Sequence, residues 1–189
     1  LALYYSSVRR ADDCLDNVLT ALKDSGEWNN TMIVFLSDHG MPLPFAKTQL
    51  YHHSTRTPLM IRVPGVTKTG TVDKRHMVSV LDLLPTIMDV LGVKKPSRLD
   101  GRSFYPVLQG KKQDDRDFII KQYHENSGRS RDPMRGIQTK THLYLFNPWS
   151  NGERVFATAT NGTVTCKRMI ALAEEDVERF NVAKNKVSS

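Results

Sequence analysis

The sequence predicts an α/β fold followed by a small α+β subdomain built on an antiparallel sheet. Three observations lead there. A helical pattern at the start feeds a short strand that is apolar throughout. That strand breaks off in a polar loop, where ligands bind in α/β sheets. Beyond about residue 112 the long helical period gives way to short strands separated by turn residues.

Leu3, Val8, Leu15, Val18, Leu19 and Leu22 recur at helical spacing among charged residues, and Gly26 sits where such a helix stops, so a helix is predicted to about residue 25. Asn29 and Asn30 turn the chain into the run from Thr31 to Leu36. This run is rich in β-branched and aromatic residues and reads as a strand buried on both faces, as in a parallel sheet. A second buried strand is predicted from Pro58 to Val63. Val80, Leu83, Leu84, Ile87, Met88 and Leu91 then set the register of a helix ending at Gly92, with Pro85 tolerable only near its first turn. A short helical piece is expected over 103–109. The polar stretch from Gly110 to Arg116 marks a boundary between a first unit, 1–112, and a second, 113–189. Strands follow at 118–123, 134–139 and 142–146, the last two joined by a turn at Lys140-Thr141, and a helix is predicted over 168–183.

Composition narrows the function classes. The chain has 189 residues, 39% of them hydrophobic and 25% charged, which suits one domain or two small ones with a real core. Its two cysteines, Cys14 and Cys166, rule out a disulfide scaffold and a four-cysteine zinc module; they read as two buried thiols rather than a pair. No apolar run approaches the ~20 residues that span a bilayer. The opening Leu1-Ala2-Leu3-Tyr4-Tyr5 has no initiator Met and no signal peptide, so the expectation is a piece of a longer chain. The net charge is +7, and the surplus lies in residues 41–135, with 17 basic against 9 acidic side chains. Such a stretch can meet nucleic acid, a membrane surface, or an anionic small substrate or glycan; no RNA-binding aromatic motif, zinc-finger spacing or recognition helix accompanies these charges, so nucleic acid is the weak reading.

Chemistry concentrates at the end of the first strand. Asp38-His39 sets a carboxylate and an imidazole side by side ahead of Gly40, an arrangement that either ligates a divalent cation or merely caps the loop. Lys47, nine residues on, either pairs with a tetrahedral anion held there or is a solvated loop lysine. His52-His53 in an extended loop would point to opposite sides. His124-Glu125, after the strand at 118–123, is either an acid/base or substrate-orienting pair or a polar strand end.

In order along the chain, Thr31 to Gly40, Lys47 to Tyr51, Arg56 to Gly65, Val80 to Ile87 and Leu99 to Phe104 together resemble the sulfatases of the alkaline phosphatase superfamily. Met41-Pro42-Leu43-Pro44 and Asp132-Pro133-Met134-Arg135 are most similar to the heparan N-sulfatase (sulfamidase) branch. The resemblance implies the C-terminal part of an alkaline-phosphatase-like mixed sheet with flanking helices, and hydrolysis of a sulfate ester or N-sulfate on a glycan. It implies that Asp38 and His39 are ligands of a divalent cation, usually calcium, with manganese or zinc left open by the imidazole. Lys47 would contact the sulfate, and His124 and Glu125 would reach the substrate. It further implies a formylglycine made from the Cys or Ser of a C/S-x-P-x-R motif and an earlier aspartate pair. Neither is present here, so the missing N-terminal half is expected to supply both, and the strands are expected to lack neighbours on one side. Family habit implies a periplasmic, extracellular or lysosomal setting. A phosphodiester or phosphonate monoester hydrolase of the same superfamily and a non-catalytic module for sulfated polysaccharide are the alternatives.

Overall fold

A computed structural model describes residues 2–114, 116–125, 131–153, 156 and 159–175. Helix α1, Ala2–Asp24, ends at Gly26, whose φ of 79° is a left-handed conformation that only glycine adopts freely. A 3-10 turn, Glu27–Asn30, leads to β1, Ile33–Leu36. A four-residue helix α2, His52–Thr55, precedes β2, Leu59–Arg62.

β1 and β2 form a two-stranded antiparallel sheet, with Ile33 opposite Arg62 and Leu36 opposite Leu59. This corrects the expectation of a strand buried on both faces in a parallel sheet. A parallel partner needs a crossover, usually a full helix. Here the connection carries only α2 and turns the chain back on itself. Leu36 and Met60 stay exposed, at 38% and 56%. Arg62 fastens the sheet to the 3-10 turn: its Nη1 donates to the Trp28 carbonyl at 2.6 Å, and its guanidinium lies 4.1 Å from the Trp28 ring centre.

The next helix opens with a capping box. The Ser79 N–H donates to Asp82 Oδ2 at 2.7 Å and the Leu81 N–H to Ser79 Oγ at 3.4 Å around the 3-10 turn Val80–Asp82, which runs into α3, Leu83–Val90. Pro85 falls in the first turn of α3, where its missing N–H costs nothing. Gly92, at φ 64°, closes the helix while the Val93 N–H returns to the Met88 carbonyl. α4, Tyr105–Leu108, is the short piece expected there.

The second sheet holds β3, Ile119–Glu125, β4, Arg131–Gln138, and β5, Leu143–Phe146, antiparallel and in that order. The Thr139 N–H donates to the His142 carbonyl at 2.8 Å, closing the turn at Lys140-Thr141. Alternation sends Tyr123, Met134 and Leu145 to one face, against Leu50, Trp149 and Phe156. This cluster binds the segment after β1 to the C-terminal sheet. The last helix, α5, is Val164–Glu175, starting four residues before the expected position; the remainder of the predicted 168–183 helix lies outside the described residues.

α1 buries none of its residues fully; Leu15, Leu19 and Leu22 of its apolar stripe are partly covered, and Lys23 lies over the Trp28 ring. Cys14 is exposed and Cys166 buried, and both are free, so only one of the two expected buried thiols is buried. None of the described helices is long and apolar enough to cross a membrane.

Candidate functional site

Asp38 and His39 follow β1 directly. The His39 N–H donates to Asp38 Oδ1 at 2.9 Å, and the Ser37 hydroxyl donates to the His39 carbonyl at 2.9 Å. The loop-capping geometry that the sequence allowed for Asp38 is therefore present. The His39 ring adds something further. Its Nδ1 lies 2.8 Å from the Gly40 carbonyl, an oxygen that only accepts, so Nδ1 carries the proton and the lone pair of the neutral ring sits on Nε2. That nitrogen is 3.4 Å from Asp38 Oδ2. Two acceptor atoms that close repel unless a cation or a proton stands with them. The Asp38 side chain is 83% exposed and His39 46%, so both are open to a ligand.

Gly40 is the point on which the loop folds. Its N–H donates to the Ser54 carbonyl at 3.3 Å, and a Cβ there would lie 2.2 Å from the Ala46 carbonyl oxygen and 2.6 Å from that of His53. Only a residue without a side chain lets these backbones cross. Phe45 and Thr48 adopt left-handed conformations, φ 63° and 57°, on either side of Lys47. Such non-glycine residues cost on the order of 1–3 kcal/mol each and are held by their surroundings. Here the Phe45 ring meets Tyr51 edge-on at 5.4 Å, and Thr48 Oγ1 accepts the Ala159 N–H at 3.1 Å. Burial pushes the Tyr51 hydroxyl pKa up. The Lys47 ammonium is half-buried and makes no hydrogen bond or ion pair with another described residue.

His52 and His53 do not lie in an extended loop. The Tyr51 carbonyl accepts from the Ser54 and Thr55 N–H groups, at 3.0 and 3.2 Å, and winds them into α2. Both rings are exposed and touch edge-on, 5.7 Å apart.

Lys121 on β3 is a member of this region that the sequence reading passed over. Its Nζ donates to Thr55 Oγ1 at 2.5 Å, to Gln138 Oε1 at 2.8 Å and to the Leu50 carbonyl at 3.5 Å. Its partners are three neutral acceptors, with no carboxylate among the described residues bonded to it, and burial holds its pKa below the usual lysine value. A lysine on the inward phase of an alternating strand, between Ile119 and Tyr123, is the signal that could have found it.

His124 and Glu125 sit at the far end of β3, both exposed. The register slips there: Asp132 and Pro133 together stand opposite His124, and Pro133 has no N–H for the ladder. Glu125 Oε2 lies 3.6 Å from Arg131 Nε. The structure thus brings Asp38 and His39 together, with Lys47 in the same loop, and no described hydrogen bond or ion pair joins His124 or Glu125 to them. Among the described residues, no three His, Cys, Asp or Glu side chains group as a metal cluster would.

The family model described as Sulfatase matches residues 1–93, the stretch that carries β1, Asp38-His39, Lys47 and β2. These residues belong to the sulfatase family. The chain is 35% identical over 156 residues to the N-sulphoglucosamine sulphohydrolase of Homo sapiens, covering 78% of this chain and 31% of that sulfatase. It therefore spans about a third of the length of that curated relative. Two solved structures share the fold at 22% identity. One, in complex with its substrate D-glucosamine-2-N,6-O-disulfate, has a TM-score of 0.55 over 96% of this chain and 39% of its own. The other, a phosphonate monoester hydrolase of Agrobacterium radiobacter, has a TM-score of 0.59 over 94% and 40%.

Proposed function

We propose that the protein containing this chain hydrolyses a sulfate ester or N-sulfate on a glycan. In this reading Asp38 and His39 hold a divalent cation, Lys47 contacts the sulfate, and His124 and Glu125 reach the substrate. The observation that carries it is the Asp38–His39 pair at the end of β1, with its imidazole lone pair on Nε2, inside the segment that matches the sulfatase family.

The donor set fits a cation. Two cis ligands at 2.3–2.6 Å from an ion stand roughly 3.3–3.7 Å apart, and Nε2 and Oδ2 are separated by 3.4 Å. The oxygen favours calcium, and the imidazole nitrogen leaves manganese or zinc open. Calcium takes six to eight ligands, so two donors make part of a site, and the other ligands come from elsewhere in the protein. A bound cation acts as a Lewis acid that spreads the charge on the sulfonyl oxygens.

The chain's own residues do the rest. Lys47, a half-buried ammonium with no described partner, offers its charge to an oxyanion where water screens it less than in bulk. Gly40, Phe45 and Thr48 fix the loop that aims it. As water's oxygen bonds to sulfur in the net reaction, the S–O or S–N bond breaks and the leaving atom takes a proton. In this reading His124 or Glu125 gives that proton. The nucleophile is a formylglycine supplied outside residues 1–189, since this sequence contains no C/S-x-P-x-R.

The human relative's name supports an N-sulfated glucosamine substrate. The likeness to a phosphonate monoester hydrolase keeps phosphoryl chemistry as the second reading. Both are tested by assaying the full-length protein against N-sulfoglucosamine and a phenyl phosphonate monoester. Faster sulfate release is expected. Faster phosphonate cleavage moves the assignment to the second reading, and no turnover of either, with glycan binding retained, to a binding module.

A further inference from the structure

Two of the polar ties that join the second sheet and its linker to the first unit lead to different places. Arg116, in the linker, grips Asp82 with both terminal nitrogens, Nη2 to Oδ1 at 2.9 Å, and Asp82 also accepts the Arg102 N–H at 2.8 Å. That tie ends at the turn before α3, which holds none of Asp38, His39 and Lys47. The tie made by Lys121 of β3 ends instead at α2, beside the loop that carries all three.

Lys121 Nζ holds both ends of α2. The Leu50 carbonyl, 3.5 Å away, lies just before the helix, and Thr55 Oγ1, 2.5 Å away, belongs to its last residue. Thr55 Oγ1 donates its own proton to the Tyr51 carbonyl at 3.2 Å, so its oxygen is left to accept from the ammonium. Gln138 Oε1 takes the third Nζ proton at 2.8 Å, and its Nε2 donates to the Thr139 carbonyl at 3.1 Å, which fixes the amide. Each proton of the ammonium thus has an acceptor.

α2 is in turn the surface on which Gly40 rests. The Ser54 carbonyl accepts the Gly40 N–H, and the His53 carbonyl is one of the two oxygens that leave no room for a Cβ there. The Gly40 carbonyl accepts His39 Nδ1–H at 2.8 Å, which leaves the ring's lone pair on Nε2. Tyr51, the residue before α2, braces Phe45 on the approach to Lys47. A shift of α2 therefore moves Gly40, and the imidazole with it.

We propose that Lys121 is a positioning residue for the cation ligands, holding α2 at the height from which Gly40 aims His39 at the ion. This rests on the reading of Asp38 and His39 as cation ligands, and extends it across the boundary between the two units. Lys121 acts through α2 and not by contact with ion or substrate.

The test is manganese binding, followed by the paramagnetic resonance of the free ion, on full-length wild type, Thr55→Val, Thr55→Ser, Lys121→Met and Arg116→Met. Thr55 is exposed, so replacing it leaves the fold in place. Thr55→Val removes the acceptor nearest Nζ, and Lys121→Met removes the donor. Both are expected to weaken manganese binding about tenfold, the usual cost of losing an outer support of a metal ligand. Both should also lower kcat for N-sulfoglucosamine more than they change KM. Thr55→Ser keeps the hydroxyl and is expected to bind as wild type does. Arg116→Met breaks the other tie, and is expected to lower the melting temperature while leaving manganese affinity alone. Affinities of Thr55→Val and Lys121→Met indistinguishable from wild type would overturn the positioning role. So would an equal loss in Arg116→Met, because any loosening of the second unit would then suffice. Amide hydrogen exchange of the metal-free protein over residues 38–47 needs no cation. It is expected to quicken in Thr55→Val and Lys121→Met, and unchanged exchange would count against the proposal. If the wild type binds no manganese yet that exchange quickens, the cation reading fails and Lys121 still positions the loop.

Discussion

Gly40 shows how little room the site allows. A methyl group there would press on two backbone oxygens, neither of which can swing away as a side chain does. Gly40→Ala is therefore expected to displace the 38–47 loop, with a large loss of turnover and a lowered melting temperature in the full-length protein. Unchanged kinetics would mean that the crossing of Ala46 and His53 does not hold the loop. Lys47 carries the opposite kind of expectation. No described side chain depends on it, so Lys47→Met should leave the fold intact. It should lower kcat by about 10²–10³, the usual cost of removing one charge-stabilising donor. Steady-state kinetics beside a thermal melt separates the two effects.

At the scale of elements, the Asp82 network ties the 3-10 turn before α3 to the linker that leads into β3. Breaking a buried ion pair from one side strands the other charge and costs about 3–5 kcal/mol. Arg116 is only 17% exposed and Asp82 2%, so Arg116→Met should destabilise the protein by about 3 kcal/mol in urea unfolding. Asp82→Asn should cost about as much, because its amide oxygen can accept only one of the Ser79 and Arg102 N–H groups that the two carboxylate oxygens now take. Lys121 joins the second sheet to Leu50 and Thr55. Lys121→Met and Thr55→Val should each loosen that joint, and the double variant should cost little more than Lys121→Met alone, because that change already removes the bond to Thr55.

These two networks also mark where the sequence stopped being informative. α1, α3 and the strands of the second sheet were legible because apolar residues recur there at the helix or strand period, and Gly26 and Gly92 end their helices where expected. Asp38-His39 stood out because a carboxylate and an imidazole broke off an apolar strand. Asp82, Arg116 and Lys121 act across 34 to 71 residues of chain, and no local pattern records a partner that far away. The direction of the β1–β2 pairing was hidden for a similar reason: a short apolar run marks a strand without naming its neighbour. The four-residue α2 is too brief to show a period.

Across the whole molecule, two properties follow from charge and exposure. Burial works against ionisation of Asp73, but its hydrogen bonds to His76 outweigh that and hold its carboxyl below the usual range. The Lys95 ammonium and the Ser103 hydroxyl do the same for Asp89, and the Lys112 ammonium does so for Asp114. Carboxylates with lowered folded pKa values stabilise above the ordinary aspartate value and lose that contribution as pH falls through the folded values. Urea midpoints should therefore drop below about pH 4, and Asp89→Asn should flatten that drop. The second property is apolar exposure. Leu3 and Val18 of α1, Met60 of β2, and the cross-strand row Ile120, Ile137 and Tyr144 face solvent, at 86, 64, 56, 57, 45 and 67%. Residues 1–189 expressed alone should self-associate, since exposed apolar faces and open strand edges seek partners. A monodisperse monomer in sedimentation would contradict that.

The most direct test of the central claim is metal content and sulfate release measured on the same preparations of full-length wild type, Asp38→Ala and His39→Ala. The account predicts one divalent cation per wild-type molecule with sulfate release, and loss of both in the two variants while circular dichroism is unchanged. Full metal occupancy and undiminished sulfate release in Asp38→Ala would contradict it.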